Sequence, residues 1–242
     1  MPFYDEATRT ITLRIVYDGL GTAGKTTNVQ QLHALYTVHR SGPVVAPEVT
    51  HGRTAYFDWL ELATGTLDGK YALRCQVLTV PGQFAYAPRR WKLLSEPDAI
   101  VCVCDSSPQG LHRGRLGIEF LRELRARGVC PDVPLVVQAN KRDLPDAVSL
   151  ERFRAELSLG ADDPVVEAVA STGDGVRMTF MTALDLARWH VRGMLRDGGI
   201  GALSTKTQTP DELLAFLKQE LEDAENEAYA VADAIASADR TR

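Results

Sequence analysis

Eight residues, Gly19-Leu20-Gly21-Thr22-Ala23-Gly24-Lys25-Thr26, constrain the fold more than any other feature of the chain. They match G-x-x-x-x-G-K-S/T and stand between a β-branched run, Ile11 to Tyr17, and a segment from Thr26 to about His39 with helical spacing through Val29, Leu32 and Leu35. A strand, a glycine-rich turn and a helix in that order make an anion cradle. Glycines let backbone N–H groups point inward, and the helix N-terminus adds about half a positive charge. Lys25 is placed to reach the β- and γ-phosphates of a nucleotide, and the Thr26 hydroxyl to ligate Mg²⁺. Gly19, Gly21, Thr22, Ala23, Gly24 and Thr27 complete the expected phosphate-binding set.

The rest of the chain alternates in the same manner. Ala55 to Leu62 and Tyr71 to Val80 read as strands bridged by a turn at Asp68-Gly69. Ala99 to Cys104 and Leu135 to Gln138 are short continuous apolar runs, as strands covered on both faces are. Val165 to Val169 is a last short strand. Amphipathic helices fill the gaps, over Leu111 to Arg127, about Leu150 to Leu157, and Met178 to Arg192. The expected class is α/β, with a mainly parallel central sheet and helices on both faces. Ligands of such folds bind outside the carboxyl ends of the strands, which is where the motifs fall.

A second motif follows the Leu135 strand: Asn140-Lys141-Arg142-Asp143, an N-K-x-D sequence. A carboxylate at Asp143 accepts both the ring N–H and the exocyclic amine on guanine's Watson–Crick edge. Adenine has neither donor there, so choosing it leaves a desolvated carboxylate unpaired. The Lys141 stem covers the base face, and Asn140 ties this loop to the phosphate loop. A backbone N–H from Ala170-Ser171, in the turn after the last strand, is expected to meet the guanine oxygen. GTP or GDP with Mg²⁺ is therefore the expected ligand set. A P-loop kinase or ATPase is disfavoured, because N-K-R-D serves no purpose in binding adenine.

Composition excludes other classes. The longest strongly apolar run is about six residues, far short of the ~20 that cross a bilayer as a helix. The start shows no signal-peptide pattern, and the expectation is a cytoplasmic protein without a transmembrane segment. Four cysteines lie in or beside apolar stretches without a C-x-x-C pair, so buried thiols are expected rather than a zinc site. Net charge is −5, with 27 Lys+Arg against 32 Asp+Glu. From Thr209 onward there are 9 acidic and 3 basic residues, a balance of −6 that leaves +1 for the body. No basic patch points to nucleic acid. The expected organisation is one nucleotide-binding domain over 1–196, a linker over 197–208 and an acidic helix over 209–242. Thr209-Pro210-Asp211-Glu212 begins that helix with a capping box. Its thin apolar seam is open to three readings: packing on its own domain, pairing with a copy or partner, or a mobile appendage.

The motifs, in this order, resemble the Ras-like small GTPases. Thr79-Val80-Pro81-Gly82-Gln83 stands where D-x-x-G-Q is usual. Together with G-K-T-T-N (Gly24 to Asn28), R-T-x-x-F-D (Arg53 to Asp58) and N-K-R-D-L-P-D (Asn140 to Asp146), it resembles the bacterial MglA family of polarity GTPases. The resemblance covers roughly Thr10 to Arg192 and implies a P-loop small-GTPase fold. It also implies GTP hydrolysis driving a two-state switch in cell polarity or gliding motility, and a roadblock/LC7-fold (MglB-like) homodimer as activating partner. Effectors are unknown. Recruitment to a cell pole or membrane-associated complex is a further implication. In this family a strand beside switch I shifts register on activation, carrying in an arginine and a glutamine that match Arg53 and Gln83.

Within that resemblance, Gly82 senses the γ-phosphate and Gln83 orients the attacking water, while Arg53 acts as an arginine finger supplied by the same chain. Thr54, or alternatively Thr50, approaches the γ-phosphate and Mg²⁺. Thr79 takes the place of the aspartate that ordinarily holds magnesium's water shell, and a neutral hydroxyl is a weaker partner. Either magnesium is bound less tightly or another carboxylate helps. Asp58 is one candidate, against the alternative of an ordinary strand aspartate. Tyr56, Phe57 and Trp59 read as core or partner surface. Phe84, Tyr86 and Trp91 read equally as a docking patch or as core. A GTP-bound adaptor without catalysis is the competing function.

Overall fold

The computed structural model describes residues 1–47, 49–50, 53–54, 56–82, 87–130, 132–205 and 208–219. For 49–50, 53–54 and 87–89 it describes the backbone alone. Strands are β1 (Phe3–Asp5), β2 (Thr10–Asp18), β3 (Val49–Thr50), β4 (Arg53–Thr54), β5 (Trp59–Leu67), β6 (Tyr71–Thr79), β7 (Ala99–Asp105), β8 (Leu135–Asn140) and β9 (Val165–Glu167). Helices are α1 (Lys25–Leu35), α2 (Ala87–Leu93), α3 (Pro108–Ala126), α4 (Leu150–Glu156) and α5 (Val176–Gly198). The main sheet runs β5-β6-β2-β7-β8-β9, with β1 added antiparallel to the start of β2. Strands β6, β2, β7, β8 and β9 are parallel, and β5 is antiparallel to β6.

The apolar runs explain the order. Ile11, Leu13, Ile15 and Val16 of β2, and Ile100 to Cys104 of β7, are all buried, as strands covered on both faces must be. One face packs on α1 and α5 through Val29, Leu32, Phe180, Ala183, Leu184 and Ala187. On α5 the buried residues recur at 176, 179, 180, 183, 184, 187 and 191, one stripe at helical spacing. Buried positions 111, 118, 121 and 124 give α3 its own such stripe. Phe57 and Trp59 are core residues, as is Tyr56, which settles that part of the aromatic reading. All four cysteines are free and buried.

Several boundaries differ from the sequence expectation. The helix after the phosphate loop stops at Leu35, which is half exposed, rather than reaching His39. The strand expected from Ala55 begins at Trp59; Ala55 lies outside the described residues. β1 was not foreseen, nor was the short β3–β4 hairpin. The stretch expected as a linker is tied to β1. Ser204 N–H donates to the Pro2 carbonyl at 2.9 Å, Tyr4 N–H donates to the Ser204 carbonyl at 2.9 Å, and Leu203 joins the core. The first compact unit accordingly runs to Thr207. The unit from Gln208 begins with the expected capping box. Glu212 N–H donates to Thr209 Oγ1 at 3.2 Å and Thr209 N–H to Glu212 Oε2 at 2.7 Å, opening a helix over 210–219. The remainder of the acidic tail lies outside the described residues. Among the described residues no helix is long and apolar enough to cross a membrane.

Candidate functional site

The carboxyl ends of β2, β6, β7 and β8 meet at one edge of the sheet, and the loops leaving them form the site. Asp18 of β2 pairs in register with Cys102 of β7, and Asp105 of β7 with Asn140 of β8. The phosphate loop follows Asp18, and Val80-Pro81-Gly82 follows β6. The N-K-x-D loop follows Asn140.

Gly24 is the N-cap of α1 at φ 108, and no side chain caps the helix, so its first N–H groups face the site. A Cβ at Gly24 would lie 2.3 Å from Asn140 Nδ2, so only glycine fits there. Lys25 is buried, its Nζ donating to the Gly19 carbonyl at 2.6 Å and the Leu20 carbonyl at 3.2 Å. Burial lowers its pKa to about 8, with the charge of Asp18 acting in the opposite direction. Such an ammonium gains most when an anion arrives.

Gly82 comes very close to this loop. Its carbonyl accepts the Gly21 N–H at 2.9 Å, and a Cβ on it would lie 2.7 Å from Lys25 Nζ. A phosphate-loop N–H thus already faces an oxygen, and a phosphate oxygen is the natural exchange partner.

Beside the phosphate loop two hydroxyls converge on one buried carboxylate. Thr26 Oγ1 donates to Asp58 Oδ2 at 2.6 Å, and Thr79 Oγ1 donates to the same oxygen at 2.8 Å. Asp58 N–H in turn donates to Thr79 Oγ1 at 2.9 Å. Asp58 is 2% exposed and Thr79 fully buried. The carboxylate missing at position 79 therefore stands across the strand pair, held by the threonine in its place. A hydroxyl and a carboxylate at 2.6 Å beside a phosphate cradle form an oxygen donor set suited to Mg²⁺.

At the base end, Asn140 bridges the two loops as expected. Its Nδ2 donates to the Ala23 carbonyl at 2.7 Å, and its Oδ1 accepts the Ala170 N–H at 2.9 Å. The Ala170 N–H, expected at the base oxygen, is here committed to Asn140, while Ser171 is exposed. Lys141 adopts φ 63, a conformation a lysine rarely takes, and its Nζ donates to Asp105 Oδ2 at 2.7 Å. Asp105 is held below the ordinary carboxylate range: partial burial works against this, but bonds from Lys141 and Ser107 prevail. Asp143 is exposed and open to a ligand.

Other expected residues are placed less fully. Arg53 and Thr54 are described by backbone alone, in β4, which pairs antiparallel with β3 containing Thr50. Gln83, Phe84 and Tyr86 lie outside the described residues; Trp91 is on α2, about one-third exposed. Thr22 takes a left-handed conformation, φ 69, at the turn of the loop, and Thr27 is in the first turn of α1.

Three features escaped the sequence reading. Asn28 and Gln138 exchange side-chain amide bonds at 2.8 and 2.9 Å behind the loop, with Thr179 accepting from Gln138 at 2.8 Å. Asp105 partners Lys141. Buried Asp18 pairs with Arg90. A signal was present for Asp18 and Asp105, each an acidic residue closing an apolar strand where solvent is scarce.

The ADP-ribosylation factor family model matches residues 4–181 of the chain. The mutual gliding-motility protein MglA of Myxococcus xanthus (strain DK1622) is 36% identical over 178 residues, covering 73% of this chain and 90% of that protein. The family match takes in the phosphate loop and the N-K-x-D loop, and small GTPases of this kind bind guanine nucleotide with Mg²⁺ and hydrolyse GTP. The chain belongs to the ADP-ribosylation factor family of small GTPases and, within it, is MglA-like.

Proposed function

We propose that the protein is a GTP-hydrolysing switch controlling cell polarity or motility through effectors. A roadblock-fold, MglB-like homodimer serves as its activating partner, and recruitment to a cell pole or membrane-associated complex follows from that role. The observation that carries the guanine reading is the Asn140 bridge, which joins the phosphate loop at Ala23 to the base loop. The motility reading is supported by the likeness to the mutual gliding-motility protein MglA of Myxococcus.

Lys25, the α1 N-terminus and the loop amides hold the phosphates. Lys141 covers the base and Asp143 selects it. The turn at Ala170 and Ser171 closes the base end. Thr26 and Asp58, with Thr54 from switch I, would hold Mg²⁺, which supplies charge neutralisation on the phosphate oxygens when bound. Gln83 orients the attacking water and Arg53 neutralises developing charge. Intrinsic turnover is slow and rises with the partner.

Two variants test these assignments. Arg53→Ala and Gln83→Ala are each expected to lower single-turnover hydrolysis on the order of 10²–10³-fold or more. GDP affinity should stay within about threefold, since neither contacts the diphosphate. Unchanged hydrolysis in both variants discards them as catalytic groups. Asp58→Asn is expected to raise the Mg²⁺ concentration at half-maximal hydrolysis by about 10–100-fold, the usual size of losing a supporting carboxylate. An unaltered Mg²⁺ titration would return Asp58 to a structural role.

One observation favours a second reading, a GTP-bound adaptor without turnover: the Thr79 hydroxyl is already spent on Asp58. Single-turnover hydrolysis across a Mg²⁺ titration, with and without a roadblock-fold protein, separates the two. Conversion of bound GTP to GDP that accelerates with the partner supports the switch; intact GTP under all conditions supports the adaptor.

A further inference from the structure

Asp18 ends an apolar strand and is wholly buried directly before the phosphate loop. A carboxylate so placed needs a cation, and the Lys25 ammonium is close by, donating to the carbonyl of Gly19, the residue that follows Asp18. Another cation occupies Asp18 instead. Arg90 of α2 reaches back 72 residues, donating from Nε to Oδ1 at 2.7 Å and from Nη2 to Oδ2 at 2.7 Å. This two-pronged geometry is the strongest way for a side chain to claim a carboxylate. The guanidinium is 5% exposed, and its carbon lies 4.3 Å from the centroid of Phe120 on α3. The Phe120 ring and the Asp18 carboxylate together hold it in place. With both oxygens of Asp18 taken, Lys25 donates to the carbonyls of Gly19 and Leu20, neutral groups that a phosphate readily displaces.

We propose that Arg90 is a positioning residue of the phosphate site: by occupying both oxygens of Asp18 it keeps that carboxylate from capturing Lys25, and so leaves the ammonium available to the nucleotide. The inference rests on the guanine-nucleotide reading. It assigns α2, the helix after switch II, a second task, holding the phosphate lysine in its competent state through a charge it never touches.

The test is a double-mutant cycle on the full chain, read as affinity for fluorescent GDP and for a non-hydrolysable GTP analogue. Arg90→Met frees Asp18, and the affinity for the analogue is expected to fall about tenfold or more, the scale of close charge coupling. Adding Asp18→Asn removes the competitor, and the Asp18→Asn/Arg90→Met protein is expected to recover to within about threefold of wild type. A merely structural pair would give the opposite pattern, the double variant binding no better than the single. That pattern, or wild-type affinity in Arg90→Met, overturns the proposal. If Arg90→Met shows no cooperative melt, Arg90→Lys takes its place. It keeps the charge without the two-pronged grip, and an intermediate loss reversed by Asp18→Asn is expected; a loss that is not reversed overturns the proposal. Wild-type protein that binds neither nucleotide would sink the guanine reading. Wild-type binding with additive losses would sink this inference alone.

Discussion

Asp143→Asn is expected to convert the protein from a guanine binder to a xanthine binder. Guanine presents two donors to this position, the ring N–H and the exocyclic amine, and a carboxylate accepts both. An asparagine must meet the amine with one of its own donors or turn and lose the ring contact, leaving buried polar groups unpaired. Xanthine carries a carbonyl in place of the amine, which the Asn amide satisfies. A site built on such bonds rejects the mismatched ligand strongly, so GDP affinity should fall on the order of a thousandfold or more, with XDP gaining correspondingly. Asp143 is exposed, and its loop is braced independently of it. Arg142 N–H donates to the Ala168 carbonyl at 3.1 Å, its Nε to Glu167 at 2.7 Å and its Nη1 to the Val148 carbonyl at 2.6 Å. The variant should therefore melt as wild type does. Competition of GDP and XDP against a fluorescent nucleotide decides the matter, and a variant that still prefers GDP would place the base elsewhere.

Lys25→Met is expected to have two effects of opposite sign. In the proposed role the charged lysine makes charge-assisted bonds to two phosphates, and their loss should weaken GTP binding by about 10²–10⁴-fold, at roughly 1.5–3 kcal/mol per bond. Without nucleotide, the same lysine is a liability. Its pKa is lowered from 10.5 to about 8, with burial the leading cause. Between those values the unfolded chain binds more protons than the folded one, so stability rises with pH across that window. Below pH 8 the penalty is fully present, about 3 kcal/mol on an order-of-magnitude scale. Nucleotide-free Lys25→Met should thus be more stable than wild type at pH 7, and its stability should vary less between pH 8 and 10.5. Denaturant unfolding of both proteins at several pH values reads this directly. Equal pH dependence in the two would show that Lys25 is not the buried cation described.

Both variants bear on residues that were legible in the sequence, and the reason is physical. A phosphate loop and a base loop are local: their backbone shapes and side-chain chemistry are set by a few consecutive residues. Gly24 at φ 108 and Asn140 between two loops follow almost directly from G-K-T and N-K-x-D. A mainly parallel sheet followed in the same way from short apolar runs alternating with amphipathic segments, though the order of its strands did not. Long-range partners were less accessible. Asp58 was one candidate, and its bond to Thr79 is visible only once β5 and β6 are paired. Arg90 lies 72 residues from Asp18, and no spacing rule connects them. The Ala170 N–H was assigned to the base because its commitment to Asn140 appears only in three dimensions. The end of α1 was misplaced because Leu35 fits the apolar period yet faces outward. The stretch after α5 looked like a linker by composition, but Leu203 and Ser204 are drawn into the fold by contacts with the chain's first strand.

The proposed function requires one pocket that grips phosphate through Lys25 and reads the purine through Asp143. Calorimetric titration of nucleotide-free protein with GDP, GTP, ADP and ATP, each with Mg²⁺, addresses it without mutation. Saturable binding of GDP and GTP, with ADP and ATP weaker by a factor on the order of 10³ or more, is the predicted outcome. Equal affinity for the adenine nucleotides, or no heat from any guanine nucleotide, would contradict it.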